Sequence, residues 1–323
     1  ALPKERRNAD TAPAVNPYNH QEHIYSKNRP ENLDFLRKLR AVMEPYGAAA
    51  VGEVGDAQRG LEILGEYTAG DDLMQMCYAF EFLSPEQPTA SRIVDVMAHV
   101  DRVAADGWAC WAFSNHDVVR HASRWNLPDA AQRMFVSLIM CLRGSVCIYQ
   151  GEELGLPEAD VAFEDLQDPY GIQFWPEFKG RDGCRTPMEP SNRNGGFSSG
   201  APWLPVSRAH LGLSVASQED DPGALLHHYR RAIAFRQAHA GLRTGAHTAV
   251  TASGDVVHFT RSDAASEIFC AFNVSDTAAA IAIPAGDWTP IGAALGAVDL
   301  PGDGHLHLGP WQVCLAQRRK TAQ

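Results

Sequence analysis

Apolar residues in the first half of the chain follow two alternating patterns. Over residues 31–46, leucines and a methionine recur every three or four positions among charged residues, which predicts an amphipathic helix. The next run, residues 48–56, contains small and β-branched apolar residues and reaches the carboxylate of Glu53 between two glycines. Continuous apolar runs are typical of strands buried in a parallel sheet. We therefore predict a buried strand with Glu53 at its carboxyl end.

The same alternation continues to about residue 149. After a Gly-rich connection, apolar runs predict three more strands, and two segments with helical spacing lie between them, the second capped by Asp129. Alternating helices and strands predict a parallel sheet with right-handed crossovers. The predicted strands are residues 74–82, 108–117 and 145–149, and the predicted helices are residues 91–105 and 129–142.

The rest of the chain has a different composition. Residues 1–30 and 154–224 are rich in Pro, Asn and other loop-forming residues, so both are predicted to be long loops. A helical pattern returns over residues 225–240. From residue 242 onward, short β-type runs separated by Gly, Asp and Pro predict a small antiparallel β-sandwich.

Polar residues that could perform chemistry end two of the predicted strands. Glu53 closes the first, and the pair His116-Asp117 closes the strand over residues 108–117. Each pattern alone is also typical of a strand that ends in a turn with a solvated charge. Parallel strands end at the same edge of a sheet, where barrel enzymes place their active sites. Cleavage of a glycosidic bond needs one protonated and one ionised carboxyl group close together, so the two patterns together favour such a site.

Composition excludes some classes of protein. The chain has 323 residues, 28 basic and 39 acidic, with a net charge of −11, which disfavours nucleic acid as a partner. The seven cysteines form no CxxC pair, so neither a metal site nor a disulfide framework is expected, and no cofactor motif is found. No apolar run is long enough to cross a bilayer. We expect a cytoplasmic enzyme that acts on a neutral small molecule.

Four segments with compatible order and spacing resemble the α-amylase superfamily, most closely its bacterial α-glucosidase and oligo-1,6-glucosidase branch. The resemblance implies the second half of a (β/α)8 TIM barrel over residues 1–241, followed by a β-sandwich domain over residues 242–323, and a retaining mechanism on α-glucosides. The four segments are Val-Gly-Glu-Val-Gly-Asp (51–56), Phe-Ser-Asn-His-Asp (113–117), Ile-Tyr-Gln-Gly-Glu-Glu-Leu-Gly (148–155) and Gly-Arg-Asp-Gly-Cys-Arg-Thr-Pro-Met (180–188).

The resemblance also implies roles for individual residues. Glu53 takes the place of the general acid/base, and Asp117 that of the carboxylate that grips sugar hydroxyls and stabilises the transition state. His116 would donate to a hydroxyl beside Asp117. Arg185, together with Arg181, would hold the glucose ring in the innermost subsite.

One element of the family pattern has no counterpart in the sequence. The nucleophilic aspartate of the family lies on the fourth barrel strand, in a motif resembling Gly-Phe-Arg-x-Asp, and no such segment occurs here. A complete barrel has eight strands in about 250 residues, whereas only four strands are predicted before the β-sandwich. We therefore expect a companion N-terminal polypeptide of the same enzyme to supply the nucleophile.

Three functions remain open from the sequence. The first is an α-glucosidase that hydrolyses terminal α-linked glucose from short oligosaccharides through a covalent glucosyl intermediate. The second is an α-glucosyl transferase that passes glucose from the same intermediate to an acceptor hydroxyl. The third is a non-catalytic barrel relative that serves as a binding subunit.

Overall fold

The computed structural model describes residues 6–7, 21–56, 58–188, 199–302 and 304–320. Most of the predicted loop over residues 1–30 lies outside these residues. A four-stranded parallel sheet forms the centre of the first part of the molecule, in the order β3-β4-β5-β6. Its strands are β3 (Val51–Gly52), β4 (Met76–Ala79), β5 (Ala109–Trp111) and β6 (Ser145–Val146), and β1 (Arg6–Arg7) pairs antiparallel with β2 (Gln21–Glu22) upstream.

Helices precede or connect the strands of the parallel sheet, as the alternation predicts for all but the connection after β3. The helix α3 begins after Thr89, whose hydroxyl accepts a hydrogen bond from the backbone N–H of Arg92. Such a bond satisfies one of the free donors of the first helical turn. The helices are α1 (Asn32–Met43), α2 (Gly60–Thr68), α3 (Ala90–Val103), α4 (His121–Arg124) and α5 (Asp129–Cys141).

Three local expectations are wrong. The Gly-rich connection contains α2, whose apolar positions, such as Leu61 and Leu64, are buried. Asp129 does not cap α5: the cap position is Pro128, and the Asp129 carboxylate pairs with Arg133 at 2.6 Å. The strand with Glu53 is not buried, because β3 has a neighbour on one side only among the described strands, and Val51 is 46% exposed.

The register of the sheet decides which side chains face the helices. Cys77 and Trp111 lie in the apolar core that β4 and β5 form with the helices. Side chains alternate between the faces of a strand, so Tyr78 and Cys110, which are register partners, lie on the opposite face. That second face, near the carboxyl ends of the strands, is the one that concerns function.

The segment after the parallel sheet is irregular over its described residues, as expected, and contains only short helices before a longer one. Residues 189–198 lie outside the description. The helices are α6 (Pro169–Gln173), α7 (Asp182–Arg185), α8 (Val215–Glu219), α9 (Leu225–Ala238) and α10 (Ala240–Thr244).

Two antiparallel sheets follow, in agreement with the short β-type runs. Their order is β11-β13-β9-β8-β7 and β10-β12, and apolar side chains such as Phe269 and Leu306 fill the space between them. Arg261 joins this part to the first part by donating to the backbone oxygens of Cys141 and Gly245, both at 2.6 Å. The strands are β7 (Ala246–Ser253), β8 (Val256–Ser262), β9 (Ser266–Asn273), β10 (Ala279–Ala282), β11 (Thr289–Pro290), β12 (His305–Leu308) and β13 (Val313–Arg319).

None of the helices in the described part of the chain is long and apolar enough to span a membrane. All seven cysteines are free thiols, and six of them are buried. Burial raises the pKa of several of these thiols, for example that of Cys77 to about 11, so they behave as small apolar residues of the core.

Candidate active site

Glu53 lies directly beyond the end of β3, level with Tyr78 on the neighbouring strand. The register pairs Gly52 with Cys77, so the next residue along each strand, Glu53 and Tyr78, lies on the opposite face from the helices. A Cβ at Gly52 would stand 2.5 Å from the Cys77 Sγ, which explains the glycine before Glu53. The Glu53 side chain is exposed.

Tyr78 and Cys147 form a polar contact beside Glu53. The Tyr78 hydroxyl and the Cys147 thiol share a hydrogen bond of 3.0 Å. This hydrogen bond is the main cause that raises the pKa of Tyr78, followed by burial and by smaller effects that include the charge of Glu53. Glu53 therefore lies close enough to affect the neutral Tyr78 phenol, on the face of the sheet opposite the helices.

Asp117 lies in the loop after β5 and binds two arginines through the same oxygen. Its Oδ1 accepts from Nη1 of Arg181 and from Nη2 of Arg185, both at 2.9 Å. Its backbone N–H donates to the Oδ1 of Asn115 at 2.9 Å, which shapes the turn that presents the carboxylate. Asp117 remains partly exposed, with a relative side-chain exposure of 36%.

His116 and Arg185 are joined through the backbone. The Arg185 Nε donates to the carbonyl oxygen of His116 at 2.7 Å. The imidazole Nε2 of His116 lies 3.6 Å from the Asp117 Oδ2, which is longer than a hydrogen bond. At 62% exposure the imidazole is available to a ligand in front of Asp117.

Arg181 is held by a buried carboxylate, Asp168, which is not among the predicted site residues. The Asp168 side chain is fully buried and accepts from Nε, Nη2 and the backbone N–H of Arg181 at 2.8–3.1 Å. These bonds with Arg181 are the main cause that lowers the pKa of Asp168, and the same pairing raises the pKa of Arg181. The motif Asp168-Pro169 could have indicated this residue, because an aspartate before proline is typical of a helix start, and Asp168 caps α6.

A second set of buried polar side chains, formed by Ser114, His121 and Glu152, lies next to the Asp117 loop. The Ser114 hydroxyl accepts from the backbone N–H of His121 at 2.9 Å and lies 3.0 Å from the Nδ1 of the same residue. Glu152 is fully buried 3.6 Å from that Nδ1, and burial raises the pKa of Glu152 to about 8. Burial lowers the pKa of His121 to about 3. Burial therefore favours the neutral form of both groups.

The structure thus brings four of the five predicted residues into one cluster: His116, Asp117, Arg181 and Arg185. Glu53 stands apart and makes no hydrogen bond or ion pair with that cluster in the described part of the chain. Chemically, the cluster offers an anionic oxygen and fixed guanidinium donors, which suit a ligand with several hydroxyl groups. No group of three or more metal-binding side chains is found in the described ranges.

Comparison with known proteins assigns the chain to a family. A family model for the alpha amylase catalytic domain matches residues 2–245. The chain belongs to the alpha-amylase family. A probable alpha-glucosidase of Rhizobium meliloti (strain 1021) is 60% identical over 290 residues, which cover 88% of this chain and 53% of that protein.

More distant relatives in the alpha-amylase family have related names. An oligo-1,6-glucosidase of Heyndrickxia coagulans is 26% identical over 304 residues, covering 82% of this chain and 54% of the relative. The chain therefore spans about half the length of these curated relatives.

A crystal structure of an alpha-glucosyl transfer enzyme has a TM-score of 0.89 and 41% sequence identity, and the alignment covers 97% of this chain and 60% of the other. The trehalulose synthase of Pseudomonas mesoacidophila MX-45 has a TM-score of 0.76 at 22% identity, covering 90% and 59%. At that identity the likeness concerns the fold alone.

Proposed function

We propose that this chain is the C-terminal portion of a retaining α-glucosidase, which hydrolyses terminal α-linked glucose from short oligosaccharides or α-glucosides through a covalent glucosyl intermediate. The observation that carries the proposal is the carboxylate of Asp117, held between Arg181 and Arg185 beyond β5, at the same end of the parallel sheet as Glu53. The relative named probable alpha-glucosidase, at 60% identity, supports the same activity.

Each residue has a role in this mechanism. Glu53 donates a proton to the leaving glycosidic oxygen and later removes one from the incoming water. Asp117 grips sugar hydroxyls and opposes the positive charge of the oxocarbenium-like transition state. Arg185 and Arg181 fix the position of Asp117, and His116 donates to a hydroxyl of the same sugar. Hydroxyl contacts that tighten in the transition state lower the barrier.

The nucleophile is proposed to come from a companion N-terminal polypeptide, as an upstream part of the same chain or as a separate one. Together the two would form a (β/α)8 barrel, of which residues 1–241 are the second half, and residues 242–323 would form the appended β-domain. The outer side of α1 supports this, because Phe35 and Val42 are 61% and 66% exposed and lie two helical turns apart on one side. Tyr46, in the turn that follows α1, is 81% exposed. Exposed apolar surface of this kind marks an interface.

The proposed partner is tested by a native mass spectrum of the undissociated enzyme. A mass equal to this chain plus the companion polypeptide is expected. A fully active preparation whose mass is that of this chain alone would reject the proposal.

A second candidate function has its own support. The alpha-glucosyl transfer enzyme, at 41% identity and a TM-score of 0.89, favours transfer of glucose to an acceptor hydroxyl. The two functions share the same intermediate and differ in whether water or the acceptor attacks it. A non-catalytic binding subunit is the remote alternative, and activity that survives Glu53→Gln would favour it.

Product analysis separates the candidates. The complete enzyme is incubated with maltose, with and without a second sugar or a phenol as acceptor, and the products are separated by chromatography. Glucose as the only product in both mixtures supports hydrolysis, and a glucosylated acceptor supports transfer. No turnover of maltose or of an aryl α-glucoside would contradict both enzymatic functions.

A further inference from the structure

Arg120 is a fully buried cation that lies three residues after Asp117 and has no carboxylate partner for its guanidinium among the described ion pairs. Its side chain is 1% exposed. Its Nη1 donates to the carbonyl oxygen of Gln150 at 2.7 Å, and its Nη2 donates to that of Cys184 at 3.0 Å. Burying a charge costs free energy unless hydrogen bonds compensate it. The guanidinium thus joins two backbone segments at a position where an apolar side chain would be cheaper to bury.

The Cys184 carbonyl is the next link toward the site. It accepts a second hydrogen bond from the Tyr149 hydroxyl at 2.9 Å, and the Arg120 guanidinium lies 5.1 Å from the centre of the Tyr149 ring. Cys184 immediately precedes Arg185. Two donors therefore fix the peptide group from which the Arg185 side chain extends.

These contacts form a closed series of interactions that includes Asp117. From Asp117 the chain leads to Arg120, whose side chain holds Cys184, and the following Arg185 returns to the Asp117 Oδ1 at 2.9 Å. The space around the guanidinium is filled: a Cβ at Gly151 would stand 3.0 Å from its Nη1. A shift of Arg120 would consequently move Arg185 relative to Asp117.

We propose that Arg120 is a positioning residue that sets the geometry between Asp117 and Arg185 by holding the Cys184 carbonyl. The inference rests on the proposed function, because its consequence for catalysis requires Asp117, which Arg185 holds, to contact the sugar. Lysine at this position keeps the charge but lacks the planar fork that reaches two acceptors. Displacement of a gripping carboxylate by about 1 Å can lower the rate about 100-fold.

The test compares variants of the complete enzyme on an aryl α-glucoside. Arg120→Lys is expected to lower kcat about 100-fold with a smaller change in KM, since the contacts it sets tighten in the transition state. The matched control is Arg261→Lys. Arg261 is equally buried and also donates to two backbone carbonyls, but it lies at the contact with the antiparallel sheets. The thermal midpoint of Arg261→Lys should fall by about as much as that of Arg120→Lys, with little change in kcat.

A double-variant cycle separates positioning from general stability. If Arg120 acts through Arg185, Arg120→Lys should cost little further activity once Arg185→Lys is present. Independent losses that multiply in the double variant would overturn the inference. Tyr149→Phe, which removes the other donor to the Cys184 carbonyl, is the substitute if Arg120→Lys does not fold. It should show a smaller kcat loss with the same coupling to Arg185.

The two proposals fail in different ways. A complete wild-type enzyme that turns over no α-glucoside contradicts the proposed function. An active wild-type enzyme in which Arg185→Lys is impaired, but Arg120→Lys and Tyr149→Phe keep the wild-type kcat, contradicts only the positioning role.

Discussion

The two sides of the candidate site differ in how firmly this chain builds them. Asp117 is fixed by two arginines, one of which rests on the fully buried carboxylate of Asp168. Glu53 follows a strand of two residues that has one neighbour among the described strands, and it has no hydrogen bond to another described side chain. Contacts within this chain therefore fix the Asp117 carboxylate, whereas none among the described residues fixes the Glu53 carboxylate.

The difference follows from the contacts that each carboxylate receives at its place in the sheet. A carboxylate that receives charge-assisted hydrogen bonds from fixed guanidinium groups is preorganised at its position. A carboxylate at the end of a strand that has one neighbour among the described strands lacks such contacts on its open side. We expect substitutions on the Asp117 side to affect both stability and activity, and substitution of Glu53 to affect activity alone.

The largest effect is expected for Glu53→Gln. Loss of the proton donor should lower kcat of the complete enzyme about 100- to 10,000-fold, with little change in the thermal midpoint. The loss should be smaller for an aryl α-glucoside with a good leaving group, which needs less protonation. Glu66→Gln is the control, since Glu66 pairs with Arg59 on the surface at 2.8 Å. Unchanged turnover of maltose would contradict the role of Glu53.

Asp117→Asn is expected to have the next largest effect. The amide keeps the shape of the side chain but removes the negative charge, so kcat should fall about 100- to 1,000-fold. Arg181 and Arg185 lose their shared anion, and the thermal midpoint should therefore also change. Asp160→Asn, at an exposed pair with Lys179, is the control. If only the midpoint changes and kcat is retained, Asp117 has a structural role instead.

Asp168→Asn tests how much the Asp168–Arg181 ion pair contributes to stability. Removing one partner of a buried ion pair costs about 3 kcal/mol, which urea unfolding of the complete enzyme would measure. The folded pKa of Asp168 is lowered from 3.8, chiefly by Arg181. Its contribution to stability is therefore present above pH 3.8 and is lost as the pH falls through the folded pKa. The wild type and the variant should converge in acid, whereas a constant difference would contradict this account.

The smallest effect on turnover is expected for Glu152→Gln. The folded pKa of Glu152 is raised by burial from 4.5 to about 8. The folded state holds this proton longer, so the glutamate progressively destabilises the fold as the pH rises from 4.5 to about 8. The glutamine variant should gain stability relative to wild type across that window and keep a constant advantage above it. Thermal midpoints at a series of pH values measure the difference, and parallel curves would contradict the pKa shift.

Local patterns predicted a large part of this molecule. The helical spacing of α1 and α3, the apolar runs of the parallel strands and the short β-type runs of the C-terminal sheets are written in neighbouring residues, which interact over one or two turns or strand positions. The same local patterns placed Glu53 and Asp117 after strands. They did not reveal α2 inside the Gly-rich connection, because glycine is a weak helix former and tertiary burial of Leu61 and Leu64 outweighs that preference.

The sequence by itself determined the order of most elements and singled out five candidate residues for chemistry. The tertiary structure alone decided how those residues meet. Arg181 and Arg185 reach Asp117 from 64 and 68 residues away and share one oxygen, and the buried Asp168 holds Arg181. The physical reason is that such contacts depend on where loops distant in sequence pack over the sheet. Hydrophobic periodicity reports only on neighbouring residues, so it does not predict these contacts. Exposure of β3 has the same origin, since burial of a strand depends on its neighbours and not on its own residues.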